Sequence, residues 1–169
     1  AVPAAHSGTG YAWSQMTSLE GASYKRLSRL VDVPNAGGAL SFWVDRHTEE
    51  AFDFLFVEAR PAGTSAWTTL PDTNGHNSQD TGWGCPWWHA DHPFLAHYQT
   101  DNGDGTCAPT GTTGDWWAAS GSSDGWEQWN LDLGAYAGQQ VELAVTVASD
   151  SIFQAEGVFL DDLTSPAGS

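Results

Sequence analysis

Short runs of alternating apolar and polar residues fill the first and last thirds of this chain. Such alternation is the pattern of a strand with one buried face, and no run keeps the 3.6-residue period of an amphipathic helix. Glycine- and proline-containing turns separate the runs. The pattern predicts an all-β fold, an antiparallel β-sandwich of the jelly-roll type. The predicted strands cover residues 27–33, 40–44, 52–59, 67–70, 126–133, 141–147 and 158–163.

A long loop insertion, residues 71–125, separates the two strand-rich parts and has no convincing strand or helix pattern. Structureless segments of this length inside a compact domain are unusual, and are generally functional or tied by a disulfide. We expect one domain over 1–169, with a core at about 24–163 and a tail at 164–169. The insertion contains Cys85 and Cys107, which we expect to form one disulfide. A disulfide implies an oxidising compartment, and hence a secreted, extracellular protein.

The charge of the chain excludes two classes of partner. The 169 residues include 21 acidic and only 5 basic side chains, which gives a formal net charge of −16. No Lys or Arg follows Arg60. Nucleic acids and anionic membranes are both bound through clustered Lys and Arg. We therefore expect neither nucleic acid nor membrane as a partner.

Acidic residues occur beside two of the predicted strands, and they form a candidate calcium site. Glu49, Glu50 and Asp53 lie beside the third strand, whereas Asp161 and Asp162 lie in the last. Calcium binds several carboxylate and carbonyl oxygens from segments that are close in space. Adjacent residues of a strand point to opposite faces, so one of the two late aspartates is expected to face the core side, where a lone charge is costly. The alternative is that all these carboxylates are solvated strand ends.

Two further motifs suggest hydrolase chemistry only weakly. His89, Asp91, His92 and His97 have the residue types of a zinc site, but their spacing matches no standard arrangement, and loop packing is the competing interpretation. Residues 121–125 match the Gly-x-Ser-x-Gly pattern around Ser123. That motif requires a strand before the serine and a helix after it, whereas a strand is predicted to follow here.

Five tryptophans of the insertion allow two interpretations. Exposed aromatic side chains near Asp and Asn residues would form a platform on which sugar rings stack. Alternatively, the same side chains would form a satellite core under the long loop. The five residues are Trp83, Trp87, Trp88, Trp116 and Trp117.

Several stretches of the chain carry a resemblance to a known family, among them 40–43, 48–59, 67–70 and 157–162. They resemble the accessory β-sandwich of immune inhibitor A-like secreted bacterial metallopeptidases. The same domain type occurs C-terminal to actinobacterial zinc carboxypeptidases, and MAM-type and carbohydrate-binding jelly rolls are remotely similar. The resemblance covers about 24–163. It implies a non-catalytic module that binds calcium through Glu49, Asp53 and Asp161, with Asp162 and Glu20 as further ligand candidates. The cysteine-containing insertion is a departure from the shorter relatives.

These observations together favour one function and leave a second open. The first is a non-catalytic, calcium-stabilised extracellular accessory domain, covalently linked to a secreted metallopeptidase, that assists its stability or presents its substrate. The second is a carbohydrate-binding module that contacts an extracellular polymer through the loop tryptophans. An independent hydrolase built on His89, Asp91 and His92 is the least supported alternative.

Overall fold

The strands of the chain build two packed antiparallel sheets and a separate two-stranded sheet in a computed structural model that describes residues 1–15, 22–153 and 155–166. The predicted all-β sandwich is confirmed, and the described residues contain no α-helix. Three short 3-10 helices are present, at Trp87–His89, Pro93–His97 and Gly134–Tyr136. The strands are β1 (Ala12–Trp13), β2 (Ser23–Asp32), β3 (Ala39–His47), β4 (Phe54–Pro61), β5 (Thr68–Thr69), β6 (Thr100–Asp101), β7 (Cys107–Ala108), β8 (Ala119–Ser120), β9 (Glu127–Asp132), β10 (Gln140–Ser149) and β11 (Gly157–Thr164).

The long strands alternate between the two sheets along the chain. One sheet has the order β1-β11-β3-β9 and the other has the order β2-β10-β4-β5, with β8 also paired to β4. The connections β3–β4 and β10–β11 therefore both cross from one sheet to the other. The register pairs Phe54 with Ala148 and His47 with Gly157, so these two crossing connections lie side by side at one end of the sandwich.

Two apolar cores hold the structure together. Leu55 and Val57 of β4 point into the core between the two sheets, whereas Phe54 and Phe56 point to the outer face of the second sheet. Burial on both faces explains why β4 is almost continuously apolar, since neither face meets water. The insertion covers the outer face and supplies much of the second core, including Trp88 and Trp116.

The insertion is closed by the expected disulfide. Cys85 and Cys107 are bonded to each other across a sequence separation of 22 residues. Both cysteines belong to the second core. The crosslink therefore fastens the loop over the sheet that it covers.

A buried ionic network links the second sheet to the insertion. Glu58 of β4 is fully buried and accepts hydrogen bonds from Arg26 Nε at 2.6 Å and Nη2 at 2.9 Å. Tyr98 and Thr146 donate their hydroxyls to the two oxygens of the same carboxylate at 2.8 and 2.7 Å, and Tyr24 donates a further hydrogen bond. Burial, followed by the charge of Glu58, raises the pKa of Tyr24 and of Tyr98 well above the usual range. The tyrosines thus remain donors.

Strand ends differ in detail from the sequence-based boundaries. β2 begins at Ser23 rather than at residue 27, and β3 continues to His47. Thr164, expected at the start of the tail, pairs with Ser41 as the last residue of β11. In the described ranges, no helix is both long and apolar enough to cross a membrane.

Candidate functional site

Three carboxylates meet at the end of the sandwich where the crossing connections lie side by side. Glu49 and Asp53 belong to the β3–β4 connection, and Asp150 follows the end of β10. One oxygen of each carboxylate lies within 4.8 Å of the others. Because Asp53 precedes Phe54, and Phe54 pairs with Ala148, the register itself brings Asp53 and Asp150 together.

Asp53 is the buried centre of this acidic cluster, with only 1% of its surface exposed. Its Oδ2 accepts a hydrogen bond from the backbone N–H of Glu49 at 3.2 Å, and its Oδ1 accepts one from that of Asp150 at 3.1 Å. Burial raises the pKa of Asp53 to about 6; the charges of Asp150 and Glu49 add to the increase, whereas the two backbone hydrogen bonds oppose it. The Asp53 side chain therefore links the β3–β4 and β10–β11 connections through hydrogen bonds.

Glu49 and Asp150 complete the acidic cluster. Oε2 of Glu49 is buried and has no hydrogen-bond partner among the described residues. Burial, with the nearby charge of Asp150, raises the pKa of Glu49. In the part of the chain that the structure describes, none of the ion pairs includes Glu49, Asp53 or Asp150. Clustered carboxylate oxygens without a cationic partner are the donor set that calcium prefers.

A pH effect follows from the raised pKa of Asp53. The pKa of Asp53 is about 4 in the unfolded chain and about 6 in the folded protein, so the folded protein binds a proton at this carboxyl more tightly. This carboxyl therefore stabilises the fold most at low pH, and its contribution declines as the pH rises to about 6. We compare the melting temperatures of the wild type and Asp53→Asn in the presence of a metal chelator. The wild type minus the variant is expected to fall as the pH rises from about 4 to about 6, and then to level off. A difference that stays constant with pH would contradict this assignment.

The structure separates Asp161 and Asp162 from Glu49 and Asp53, which corrects the predicted grouping. Asp161 lies opposite Trp43 in the β11–β3 pairing, whereas Glu49 lies beyond the end of β3. Simple alternation predicts that the two aspartates point to opposite faces of the strand. In the structure both contact Ser7, so they point to the same side.

A local irregularity of the backbone explains this arrangement. The β11–β3 register shifts between Asp161 and Thr164, and Asp162 has a φ of 50°. Asp161 accepts a hydrogen bond from the backbone N–H of Ser7 at 3.0 Å, and Asp162 Oδ2 lies 2.7 Å from His6 Nδ1. The hydrogen bond from Ser7, then that from His6, lowers the pKa of Asp162. Glu20, the remaining predicted ligand, lies outside the described residues.

The three histidines of the predicted zinc motif, His89, His92 and His97, have separate packing partners. His89 Nε2 lies 2.8 Å from Gln99 Oε1, His92 Nε2 lies 2.7 Å from the carbonyl of Ser149, and His97 Nδ1 lies 2.8 Å from Thr113 Oγ1. The side chains thus follow the loop-packing interpretation.

Ser123 is likewise engaged by neighbouring structure. Its Oγ accepts a hydrogen bond from the backbone N–H of Arg46 at 2.8 Å and lies 3.3 Å from Asp45 Oδ1. The next element along the chain is β9, not a helix. Ser123 therefore does not have the strand–turn–helix setting that the hydrolase motif requires.

The insertion tryptophans divide between the two interpretations. Trp88 and Trp116 are buried in the second core, and Trp117 is half-buried. Trp83 and Trp87 are 75% and 71% exposed. A platform built from all five rings is therefore wrong, because the outer face of the second sheet needs two of them as cover.

Asp150 is the member of the acidic cluster that sequence reasoning missed. The residue directly follows the run that forms β10, and the β10–β4 pairing places that strand end beside the start of β4. The sequence did contain a signal, because Asp53 directly precedes β4 and Asp150 directly follows β10. Strand pairing was the missing information, because β10 could equally have ended beside another strand.

Part of the chain is similar in sequence to part of a known protein. A stretch of 46 residues is 50% identical to the pre-pro-metalloprotease PrtV of Vibrio cholerae serotype O1, in strain M66-2 and in strain ATCC 39315 / El Tor Inaba N16961. This stretch covers 27% of the chain but only 5% of the protease. No family model matches the chain. The chain is thus similar to a small segment of a much longer metalloprotease.

Proposed function

We propose that this chain is a non-catalytic, calcium-stabilised accessory domain, covalently linked to a secreted metallopeptidase and assisting its stability or substrate presentation. The partial identity with a pre-pro-metalloprotease supports the link to a peptidase. The disulfide between Cys85 and Cys107 supports an extracellular location, since such bonds persist in oxidising compartments. The separate packing of His89, His92 and His97 supports a role without catalysis.

The unpartnered, buried Oε2 of Glu49 is the observation that carries the calcium proposal. A buried charged oxygen without a donor is costly, and a divalent cation removes that cost for all three carboxylates at once. Glu49, Asp53 and Asp150 would hold the ion. Bound calcium would supply no chemistry beyond charge neutralisation and crosslinking. It would fasten the β3–β4 connection to the β10–β11 connection.

Calcium is expected to raise the melting temperature of the domain. An ion that binds only the folded state at about 100 times its dissociation constant adds about 2.7 kcal/mol, which corresponds to roughly 5 to 10 °C for a domain of this size. Asp53→Asn should abolish the increase between excess chelator and excess calcium at neutral pH. Asp161→Asn is the matched control, since Asp161 lies outside the cluster, and it should keep the full increase.

Differential scanning calorimetry distinguishes the outcomes. An unchanged wild-type melting temperature would reject the calcium site. An increase that disappears in Asp161→Asn but persists in Asp53→Asn would place the ion at β11 instead.

The peptidase link has its own test. An antibody against this domain, applied to culture supernatant of the producing organism, is expected to detect a polypeptide larger than the 18.1 kDa of this chain. The same band should digest casein in a zymogram, and a zinc chelator should inhibit the digestion. Detection of an 18.1 kDa species alone, with the proteolytic activity in other bands, would contradict the covalent link.

A further inference from the structure

A polar cleft lies between the β3–β4 connection and the insertion, next to the acidic cluster. It encloses about 600 Å³, a volume within the usual range of small-ligand sites. Glu50, His76, Asp80 and Trp83 supply its chemically distinctive lining. None of the three clustered carboxylates lines the cleft, so its ligand would be separate from the proposed calcium.

The indole of Trp83 is exposed, and the backbone of this residue is hydrogen-bonded to the β3–β4 connection. The backbone N–H of Trp83 donates a hydrogen bond to the carbonyl of Ala51 at 3.0 Å, and the indole meets the Phe52 ring edge to face at 6.2 Å. Ala51 has a φ of 67°, an uncommon conformation for a residue with a side chain. A Cβ atom at Gly82 would lie 2.3 Å from the Ala51 carbonyl oxygen. Only glycine therefore allows the insertion to approach the β3–β4 connection this closely. An exposed aromatic wall results, carried on a backbone that is bonded to the β3–β4 connection.

His76 is oriented by a buried carboxylate behind it. Asp72 Oδ2 lies 2.6 Å from His76 Nδ1 and accepts a hydrogen bond from the backbone N–H of His76 at 2.9 Å. The Asp72 side chain is fully buried and also accepts a hydrogen bond from the backbone N–H of Asn130 at 2.8 Å. With Nδ1 held by Asp72, the Nε2 atom of His76 remains to contact a ligand.

Two carboxylates complete the polar side of the cleft. Asp80 uses Oδ1 to accept a hydrogen bond from the backbone N–H of Gly82 at 2.8 Å. Among the described residues, no hydrogen bond or ion pair engages Asp80 Oδ2 or the carboxylate of Glu50. The cleft thus presents several separate hydrogen-bonding atoms beside one flat apolar ring face.

We propose that this cleft binds a pyranose unit of an extracellular glycan that carries no acidic groups. A pyranose has an apolar face that packs on an indole, and its hydroxyls are distributed around the ring, so they can reach separate carboxylate and imidazole acceptors. A lysine ammonium, by contrast, places all its donors at a single point. No Lys or Arg lines the cleft, and the chain carries a net charge of −16, which disfavours acidic sugars. The inference is independent of the proposed calcium site.

Trp83→Ala and Trp87→Ala form a matched pair for testing this site. Both side chains are largely exposed, but only Trp83 lines the cleft. Labelled wild-type protein is applied to an array of neutral oligosaccharides from glucan, mannan, galactan and chitin, of acidic oligosaccharides from polygalacturonate and heparin, and of oligolysine. The wild type is expected to bind at least one neutral glycan and none of the acidic ones.

Affinity for the best neutral oligosaccharide is then measured by isothermal titration calorimetry. Trp83→Ala is expected to weaken binding about tenfold or more, and Glu50→Gln is expected to weaken it measurably, whereas Trp87→Ala should leave it within about twofold. A melting temperature equal to that of the wild type in each tryptophan variant shows that the fold is retained. Absence of glycan binding, binding confined to acidic glycans, equal effects of the two tryptophan variants, or Trp83-dependent binding of oligolysine alone would each overturn the proposal.

Discussion

Replacing Glu58 by Ala is expected to destabilise the domain by about 3 kcal/mol, because two buried hydroxyls lose their acceptor and an ion pair loses its buried carboxylate. The carboxylate is 0% exposed, and it accepts hydrogen bonds from Arg26 and from the hydroxyls of Tyr98 and Thr146. Without it, the two buried hydroxyls lose their acceptor at once, and the Arg26 guanidinium, whose side chain is 31% exposed, loses its ionic partner. Chemical denaturation monitored by circular dichroism measures the free energy of unfolding directly.

Glu142→Ala is the matched control for this experiment. Glu142 pairs with Arg60 in the same sheet, with Nη2 to Oε2 at 2.6 Å, but the Glu142 side chain is 25% exposed. Arg60 is about as exposed as Arg26, but the Glu142 carboxylate is itself solvated and accepts no hydrogen bond from a buried hydroxyl, so we expect a loss of at most about 1 kcal/mol. Similar losses for the two variants would show that burial does not set the strength of the Glu58 network.

Removing the disulfide with Cys85→Ser and Cys107→Ser together is expected to cost about 3 kcal/mol in the chain-entropy model for a loop of this length. For a domain of this size, that loss corresponds to a melting temperature lower by roughly 6 to 12 °C. The second core should loosen with it, because both cysteines pack in the cluster that contains Trp88 and Trp116. Calorimetry measures the first effect, and tryptophan fluorescence measures the second.

Reduction of the wild type provides the comparison for the disulfide variant. Under a thiol reductant, the wild type should approach the melting temperature of the double variant, whereas the double variant itself should not change. An unreduced wild type that melts at the same temperature as the double variant would contradict a stabilising role for the crosslink.

The strands of the sandwich were predictable because their signal is local. Alternation in residues 52–59 places Leu55 and Val57 on one face and Phe54 and Phe56 on the other, and the structure buries the two pairs in different cores. The pairing of Cys85 with Cys107 was also predictable, because a chain with two cysteines allows only one intramolecular disulfide. Neither inference required knowing which strands are neighbours.

The candidate site was only half predictable, because its members come from separate strand ends. Glu49 and Asp53 are close in sequence and were grouped from it, and the structure places Asp150 rather than Asp161 beside them. The sequence contains no local signal for the β10–β4 pairing, which decides this choice. The backbone irregularity at Asp162 was equally invisible, since a period of two assumes an unbroken strand.

Residue types and local patterns were therefore sufficient for the class of fold, the crosslink and the acidic character of the domain. These properties depend on residue composition and on periodicities that span a few residues. The tertiary structure alone decided which carboxylates share a site, which tryptophans are buried under the insertion, and that Trp83 stands beside His76 at a cleft. Those outcomes depend on contacts between residues far apart in the chain, which strand register and loop packing establish.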